Sequence, residues 1–228
     1  MPDIQDNVVV VGDGPTGLSC ALLLAKNGLG VHVLGLDGTP THKALLRNVL
    51  GLPEVTGEAY MREARRQCES FGVRLHRQKA VDVRREGDGW LVGTEEGNRF
   101  LGQRLVLANG RDTTLAKQLG CDTGPDGVVV DGQGRTSVEG VHAGGWLTRG
   151  ARIQLAISMG DGAAIALDIL SQEKGKAFHD FDVVPPPGQS PAHGAHTPHA
   201  TGGTPTARPA QGQERHAQAG TDRLPPLP

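Results

Sequence analysis

Gly12, Gly14 and Gly17 are the residues whose type and spacing speak first to chemistry in this chain. They stand in Val8-Val-Val-Val-Gly-Asp-Gly-Pro-Thr-Gly17, with Pro15 and Thr16 between the last two glycines. In such a Gly-x-Gly-x-x-Gly turn the first glycine permits a sharp reversal and the second lets the backbone approach a pyrophosphate. The third allows close helix–strand packing. The chemistry is binding: phosphate oxygens are met by free backbone N–H groups and the positive end of a helix dipole. The spacing alone is a weak signal, because glycine-rich turns also occur in αβ proteins that bind nothing.

The flanking elements give the turn its meaning. Val8 to Val11 predict a strand buried on both faces. Leu18-Ser-Cys-Ala-Leu-Leu-Leu-Ala-Lys26 predicts an apolar helix ending at Asn27-Gly28, a left-handed cap signal. Val31-His-Val-Leu34 resumes as a second strand. Strand, glycine turn, helix and strand within about thirty residues make a dinucleotide-binding βαβ unit.

Composition narrows the rest. The 228 residues allow one good-sized domain or two small ones, and a net charge of -2 offers no attraction to nucleic acid or acidic membranes. No stretch reads as a membrane span or a basic-plus-apolar leader, so the expectation is a cytoplasmic protein with no nucleic-acid and no membrane partner. Cys20, Cys68 and Cys121 are widely spaced, which argues against a disulfide framework, a zinc knuckle and a dithiol redox centre. Cys20 reads as a small core residue. From Pro185 onward the chain holds ten of its fifteen prolines and no aromatic residue. Residues 184–228 are therefore expected to be a disordered Pro/Gly/His-rich tail, with residues 1–183 as a single domain. His193, His196 and His199 read as incidental to a solvated tail and not as a metal site.

Along the domain, Lys43 to Leu50 predicts a short helical or irregular piece. Glu58 to Phe71 predicts a helix capped by Thr56, with Arg65 and Arg66 on its solvated face. Val73–His76, Ala80–Arg84, Gly89–Val92 and Asn98–Leu101 predict short strands of an antiparallel meander. Arg104–Ala108, Gly127–Asp131 and Gly140–Ala143 are further strands, and Thr114–Leu119 a short helix. Ile153 to Leu170 predicts a last helix containing Gly160 and Gly162. Close approach of a ligand or another backbone would explain those glycines, which each cost about 1 kcal/mol in a helix.

These residues together resemble the flavin domain of the thioredoxin-reductase-like, two-dinucleotide-domain flavoproteins, from about Asn7 to Leu170. Gly12-Asp-Gly-Pro-Thr-Gly17 resembles the family's pyrophosphate motif. Asn48-Val-Leu-Gly-Leu-Pro53 resembles the segment whose asparagine lies near the flavin, and Ala80-Val81-Asp82 sits where its backbone meets the adenine. Leu105-Val-Leu-Ala-Asn-Gly110 resembles its "ATG" strand. Thr136-Ser-Val-Glu-Gly-Val-His-Ala-Gly-Gly145 resembles its "TS-x-x-GVFAAGD" motif, and Gln154 to Gly162 its helix facing the flavin's pyrimidine edge. The resemblance implies an α/β, Rossmann-like FAD-binding domain with a parallel central sheet and a small antiparallel meander. It implies FAD contacts at Gly12, Gly14, Pro15, Thr16, Gly17, Asn48, Val81, Ala108, Gly110, Gly145, Trp146, Gln154 and Leu155.

Departures from the family pattern are equally informative. The acid that ends the second strand and holds the adenosine ribose falls at Gly35, so Asp37 is the candidate to reach instead. Loss of that bond would cost about 1.5–3 kcal/mol. The aspartate of the "GD" motif falls at Trp146, whose indole either intrudes on the cavity or stacks over a ring. Asp13 puts a carboxylate beside the expected phosphates, a mildly repulsive choice unless it points away. The nicotinamide-binding domain, its second glycine motif and its redox C-x-x-C are absent between Gly110 and Thr114.

Two functions follow. One is a FAD-binding oxidoreductase-like protein that takes electrons from a redox partner protein or free NAD(P)H, with homodimerisation as the family's habit. The alternative is a non-catalytic nucleotide-binding module or degenerate flavoprotein. No catalytic acid, base or nucleophile stands out. His32 and His142 read as core residues, while His42 and Arg47 are candidates to border the ligand.

Overall fold

The computed structural model describes residues 3–184 and residue 186. Eleven strands and five α-helices follow in chain order: β1 (Ile4–Val11), α1 (Pro15–Lys26), β2 (Val31–Gly35), β3 (Leu45–Leu46), β4 (Val55–Thr56), α2 (Gly57–Ser70) and β5 (Arg74–Arg77). Then come β6 (Ala80–Glu86), β7 (Gly89–Thr94), β8 (Arg99–Leu107), α3 (Thr114–Gln118), β9 (Thr123–Gly124) and β10 (Gly127–Val128). β11 (Val141–Ala143), α4 (Trp146–Arg149) and α5 (Leu155–Glu173) complete it. The expected tail lies outside the described residues except for Val184 and Pro186, as do its three histidines.

The valine run behaves as its composition requires. Val8, Val9 and Val10 are fully buried, and β1 pairs in parallel with β2 on one side and β8 on the other. Alternate side chains enter two cores. Val8 and Val10 pack with Leu24 of α1, Met61 of α2 and Ile169 of α5. Val9 and Val11 pack with Phe100, Leu107, Leu115 and Leu147. The parallel strands run β5-β2-β1-β8-β11, covered by α1, α2 and α5 on one face and by meander strands with the short α3 and α4 on the other.

β8 joins the two halves of the fold. Its first residues, Arg99 to Gly102, pair antiparallel with β7, and Leu105 to Leu107 pair in parallel with β11. One strand therefore replaces the two expected at Asn98–Leu101 and Arg104–Ala108. Val73–His76 also departs from expectation: β5 leaves the meander and edges the parallel sheet beside β2. Only Gly127–Val128 of the Gly127–Asp131 segment forms a strand, paired to Thr123–Gly124. Of the two expectations at Lys43–Leu50, the irregular one holds: a 3-10 turn spans Pro40–Lys43, and only the two-residue β3 is regular, paired with β4. Thr56 caps α2 as expected, its hydroxyl accepting from the Ala59 N–H at 3.3 Å.

The two glycines of α5 have different reasons. A Cβ on Gly162 would stand 2.2 Å from the Thr16 carbonyl oxygen, so this residue lets α5 press against α1. A Cβ on Gly160 would meet nothing within 4 Å.

Candidate dinucleotide site

The turn between β1 and α1 is shaped by contacts that only glycine allows. Gly12 has φ +111°, and a Cβ there would lie 2.2 Å from the Ala108 carbonyl oxygen at the end of β8. A Cβ on Gly17 would fall 1.9 Å from the Gly12 oxygen. Gly14 differs, because its Cβ would meet only Thr39 Cγ2 at 3.5 Å. The protein does not fill that side of the turn, which is where a backbone-held phosphate would approach. α1 starts at Pro15 with no acidic residue in its first turn and no side-chain cap, so its dipole end is unneutralised by its own sequence.

Two cavities meet at this turn. The larger, about 480 Å³, is lined by Gly12, Gly14, Leu34 to Leu36, Gln78 to Val81, Ala108 to Gly110 and Leu115 among others. The smaller, about 400 Å³, is lined by Pro15, Thr16, Leu45, Leu46, Asn48, Trp146, Ile153 to Leu155 and Ser158. Gly14, Thr39, Pro40, Ala108 and Gly110 border both. The register of β6 shifts between Ala80 and Asp82, leaving Val81 unpaired and half-exposed at the far end of the larger cavity.

Within the turn, Asp13 takes the alternative of pointing away, its carboxylate turned to Asp37 and Arg65. It is 5% exposed, and its Oδ2 accepts from the Asp37 N–H at 2.7 Å and from Arg65 Nη1 at 2.8 Å. Arg65, expected on the solvated face of α2, is thus drawn inward. Its helical spacing gave no hint, since the carboxylate that holds it lies 52 residues earlier. Asp37, a non-glycine residue with φ +54°, turns its own carboxylate to His42 Nε2 at 3.1 Å and Arg65 Nη1 at 3.4 Å. Asp37 and His42 are outside the lining of both cavities, as is Arg47, which pairs with Glu54.

In the smaller cavity, Asn48 Nδ2 donates to Gln154 Oε1 at 3.2 Å, joining residues 106 positions apart. Gln154 is the N-cap of α5, and that helix also lacks an acidic residue in its first turn. A second helix N-terminus therefore faces the same cleft. Gly145 has φ +68°, and a Cβ on it would lie 2.3 Å from Thr16 Oγ1, so this loop rests on the first turn of α1. Trp146 opens α4, a helical turn the sequence did not suggest. Its indole lines the cavity under the Arg111 guanidinium, 5.5 Å from the ring centre, and its N–H is buried without a partner among the described residues.

Outside the cleft, the titratable core residues are structural. Burial pushes the Cys68 thiol up to about 12 and raises Cys20 and Cys121 as well, which suppresses thiolate chemistry. His142 bonds Asp168 at 2.8 Å, and Asp168 also holds Arg135. His32 Nδ1 and His76 Nε2 lie 2.8 Å apart between β2 and β5. Among the described residues no cluster of His, Cys, Asp and Glu has the arrangement of a metal site, and no helix is long and apolar enough to cross a membrane.

Comparison with known proteins agrees with this geometry. The family model described as pyridine nucleotide-disulphide oxidoreductase matches residues 5–160. A thioredoxin reductase of Aquifex aeolicus is 29% identical over 113 residues, 48% of this chain and 35% of its own length. A dihydrolipoyl dehydrogenase of Halobacterium salinarum is 28% identical over 196 residues, 81% of this chain and 38% of its own. The chain thus spans little more than a third of the length of the curated relatives it matches. A thioredoxin reductase structure from Gloeobacter violaceus superposes with a TM-score of 0.71 at 18% identity, covering 79% of this chain and 99% of that one. The matched proteins are FAD-binding flavoproteins. The open side of Gly14, the paired cavities and the two acid-free helix N-termini fit that cofactor.

Proposed function

This chain belongs to the pyridine nucleotide-disulphide oxidoreductase family, and we propose that it is a single FAD domain serving oxidoreductase chemistry with a reductant supplied from outside the chain. One observation carries this reading: the glycine turn at the start of α1 opens onto two cavities at once, the smaller of which faces the start of α5. That is the layout an elongated dinucleotide with its pyrophosphate at the turn requires. Bound FAD supplies reversible two-electron chemistry, and the protein's share is to bind, orient and shield it.

Each sequence-derived contact residue except Asp37 has a part in this reading. Gly12, Gly14, Pro15 and Thr16 would hold the pyrophosphate, while Gly17, packed against the Gly12 oxygen and outside both cavity linings, lets the turn close. Val81 offers unpaired backbone to the adenine, and Ala108 and Gly110 floor the passage between the cavities. Asn48, Gln154, Trp146 and the first N–H groups of α5 at Leu155 would border the ring, while Gly145, outside the cavity lining, seats its loop on Thr16. Leu45, Leu46 and Ile153 shed water from it. The lining of the smaller cavity includes no titratable side chain, which leaves positioning, and not acid–base catalysis, as the work of these residues.

β8 runs through residues 108–113 straight into α3, with no second nucleotide domain between them. Electrons therefore come from free NAD(P)H or from a redox partner protein that brings its own nicotinamide site. A homodimer and a cytoplasmic setting complete the reading. The test is anaerobic mixing of the FAD-loaded protein with NADH, with NADPH and with a reduced ferredoxin or thioredoxin system. Bleaching of the flavin by at least one is expected; a flavin that stays oxidised with all of them removes the oxidoreductase reading.

A further inference from the structure

We propose that Asp13, from within the glycine turn, supplies the carboxylate that grips the adenosine ribose diol, in place of the acid missing at Gly35. The inference rests on the FAD reading above and deepens it. Dinucleotide folds hold the ribose hydroxyls with an acid about twenty residues beyond the turn; in this chain that strand end is Gly35.

The space over Gly35 is already taken. A Cβ on Gly35 would lie 2.2 Å from Asp13 Cγ and 2.3 Å from Asp13 Oδ1, so the carboxylate occupies the position into which a side chain at 35 would project. Asp13 and Gly35 both line the larger cavity. The pair therefore reads as one exchange: the acid moved to the turn, and the strand end became glycine to admit it.

The two carboxylate oxygens are used differently. Oδ2 accepts from the Asp37 N–H and from Arg65, which fixes the rotamer and offsets the charge beside the pyrophosphate. Oδ1 accepts no hydrogen bond from any described residue. An acceptor oxygen held at a cavity wall selects a donor, and the vicinal hydroxyls of ribose are donors. Asp13 and Asp112 outnumber Lys79 among the charged residues lining the cavity, and Arg65 is already paired with Asp13 and Asp37, so the site favours an unmodified ribose over a 2′-phosphate. Asp37, the alternative candidate, has its carboxylate turned to His42 and Arg65 and stands outside the cavity lining.

The experiment compares FAD with an FAD analogue carrying 2′,3′-dideoxyadenosine, each titrated into the full chain and followed by flavin fluorescence. The wild type is expected to prefer FAD by roughly tenfold or more, the loss of a charge-assisted hydrogen bond. Asp13→Ala should remove that preference. Gly35→Glu alone should lower the thermal midpoint, because its side chain collides with Asp13, and the Asp13→Gly/Gly35→Glu double variant should recover both midpoint and preference. Equal binding of FAD and the analogue by the wild type overturns the assignment, as does a preference that survives Asp13→Ala. Should Asp13→Ala not fold, the double variant decides: a folded double variant with no preference sinks the assignment. Failure to bind FAD at all is a separate outcome and removes the reading beneath it.

Discussion

The two cavities flanking the glycine turn have each lost an acid that the family pattern places there, and they have responded in opposite ways. In the larger one, Gly35 has no side chain but Asp13 fills its space with another carboxylate. In the smaller one, Trp146 replaces the acid with a bulky ring, and Asp161, outside that cavity's lining, is bonded to the Gly145 N–H at 3.1 Å and to Arg149. The difference teaches that a missing binding residue has to be judged by the volume it vacates. A vacated volume refilled by the same chemical group preserves the site, whereas one refilled by a different group changes what the site selects.

The largest effect should come from the turn both cavities share. Gly12→Ala drives a Cβ into the Ala108 carbonyl and forces an L-residue to φ +111°, so a loss on the order of 3 kcal/mol or more is expected. Urea unfolding measures it, and a variant as stable as wild type would mean the turn is not held against β8 as described.

The sheet edge formed by β2 and β5 adds a pH dependence. Burial, with His32 and Arg74 nearby, lowers His76 from 6.5 to about 4, and burial lowers His32 and His142 in the same direction. The unfolded chain then takes up protons that the folded protein refuses. Stability should be level above about pH 6.5 and fall as pH drops from there toward 4. A His32→Val/His76→Leu variant should flatten most of that fall in urea midpoints measured across the range; an unchanged slope would assign the protons elsewhere.

Trp146→Asp returns an acid to the smaller cavity and removes the ring. FAD binding should tighten by roughly tenfold, a charge-assisted bond gained. Weaker binding would show that the indole stacks on the ligand, and the contrast between the cavities would then be one of substitution and not of loss. The smallest effect separates the helix glycines. Gly160→Ala should stabilise by about 1 kcal/mol, since its site is open, while Gly162→Ala should destabilise by pushing α5 off α1. Equal shifts in thermal midpoint would contradict that packing.

Much of this was readable from residue order because it is local. The valine run, the glycine spacing, the Asn27-Gly28 cap and the Thr56 cap depend on neighbours within one element. What escaped prediction depends on long-range partners. Val73 to His76 alternates like a meander strand, yet β2 had an unpaired edge and claimed it. The single strand Arg99–Leu107 looked like two because Gly102 interrupts its apolar run, while its two halves serve different neighbours. Arg65 carries no local mark of the site, and the sequence leaves open whether Asp13 points away from the phosphates because its partner lies 52 residues later, on α2. Asn48 and Gln154, by contrast, were found separately through their motifs and are joined in the structure by one hydrogen bond.

The central claim is that the cleft around Gly12 to Gly17 holds FAD. Heat denaturation of the purified full chain, with fluorescence of the released supernatant, tests it most directly, backed by titration of FAD into any flavin-free fraction. The account predicts released FAD, or saturable quenching at one FAD per chain. A colourless protein that releases no flavin and gives no saturable quenching with added FAD would contradict it.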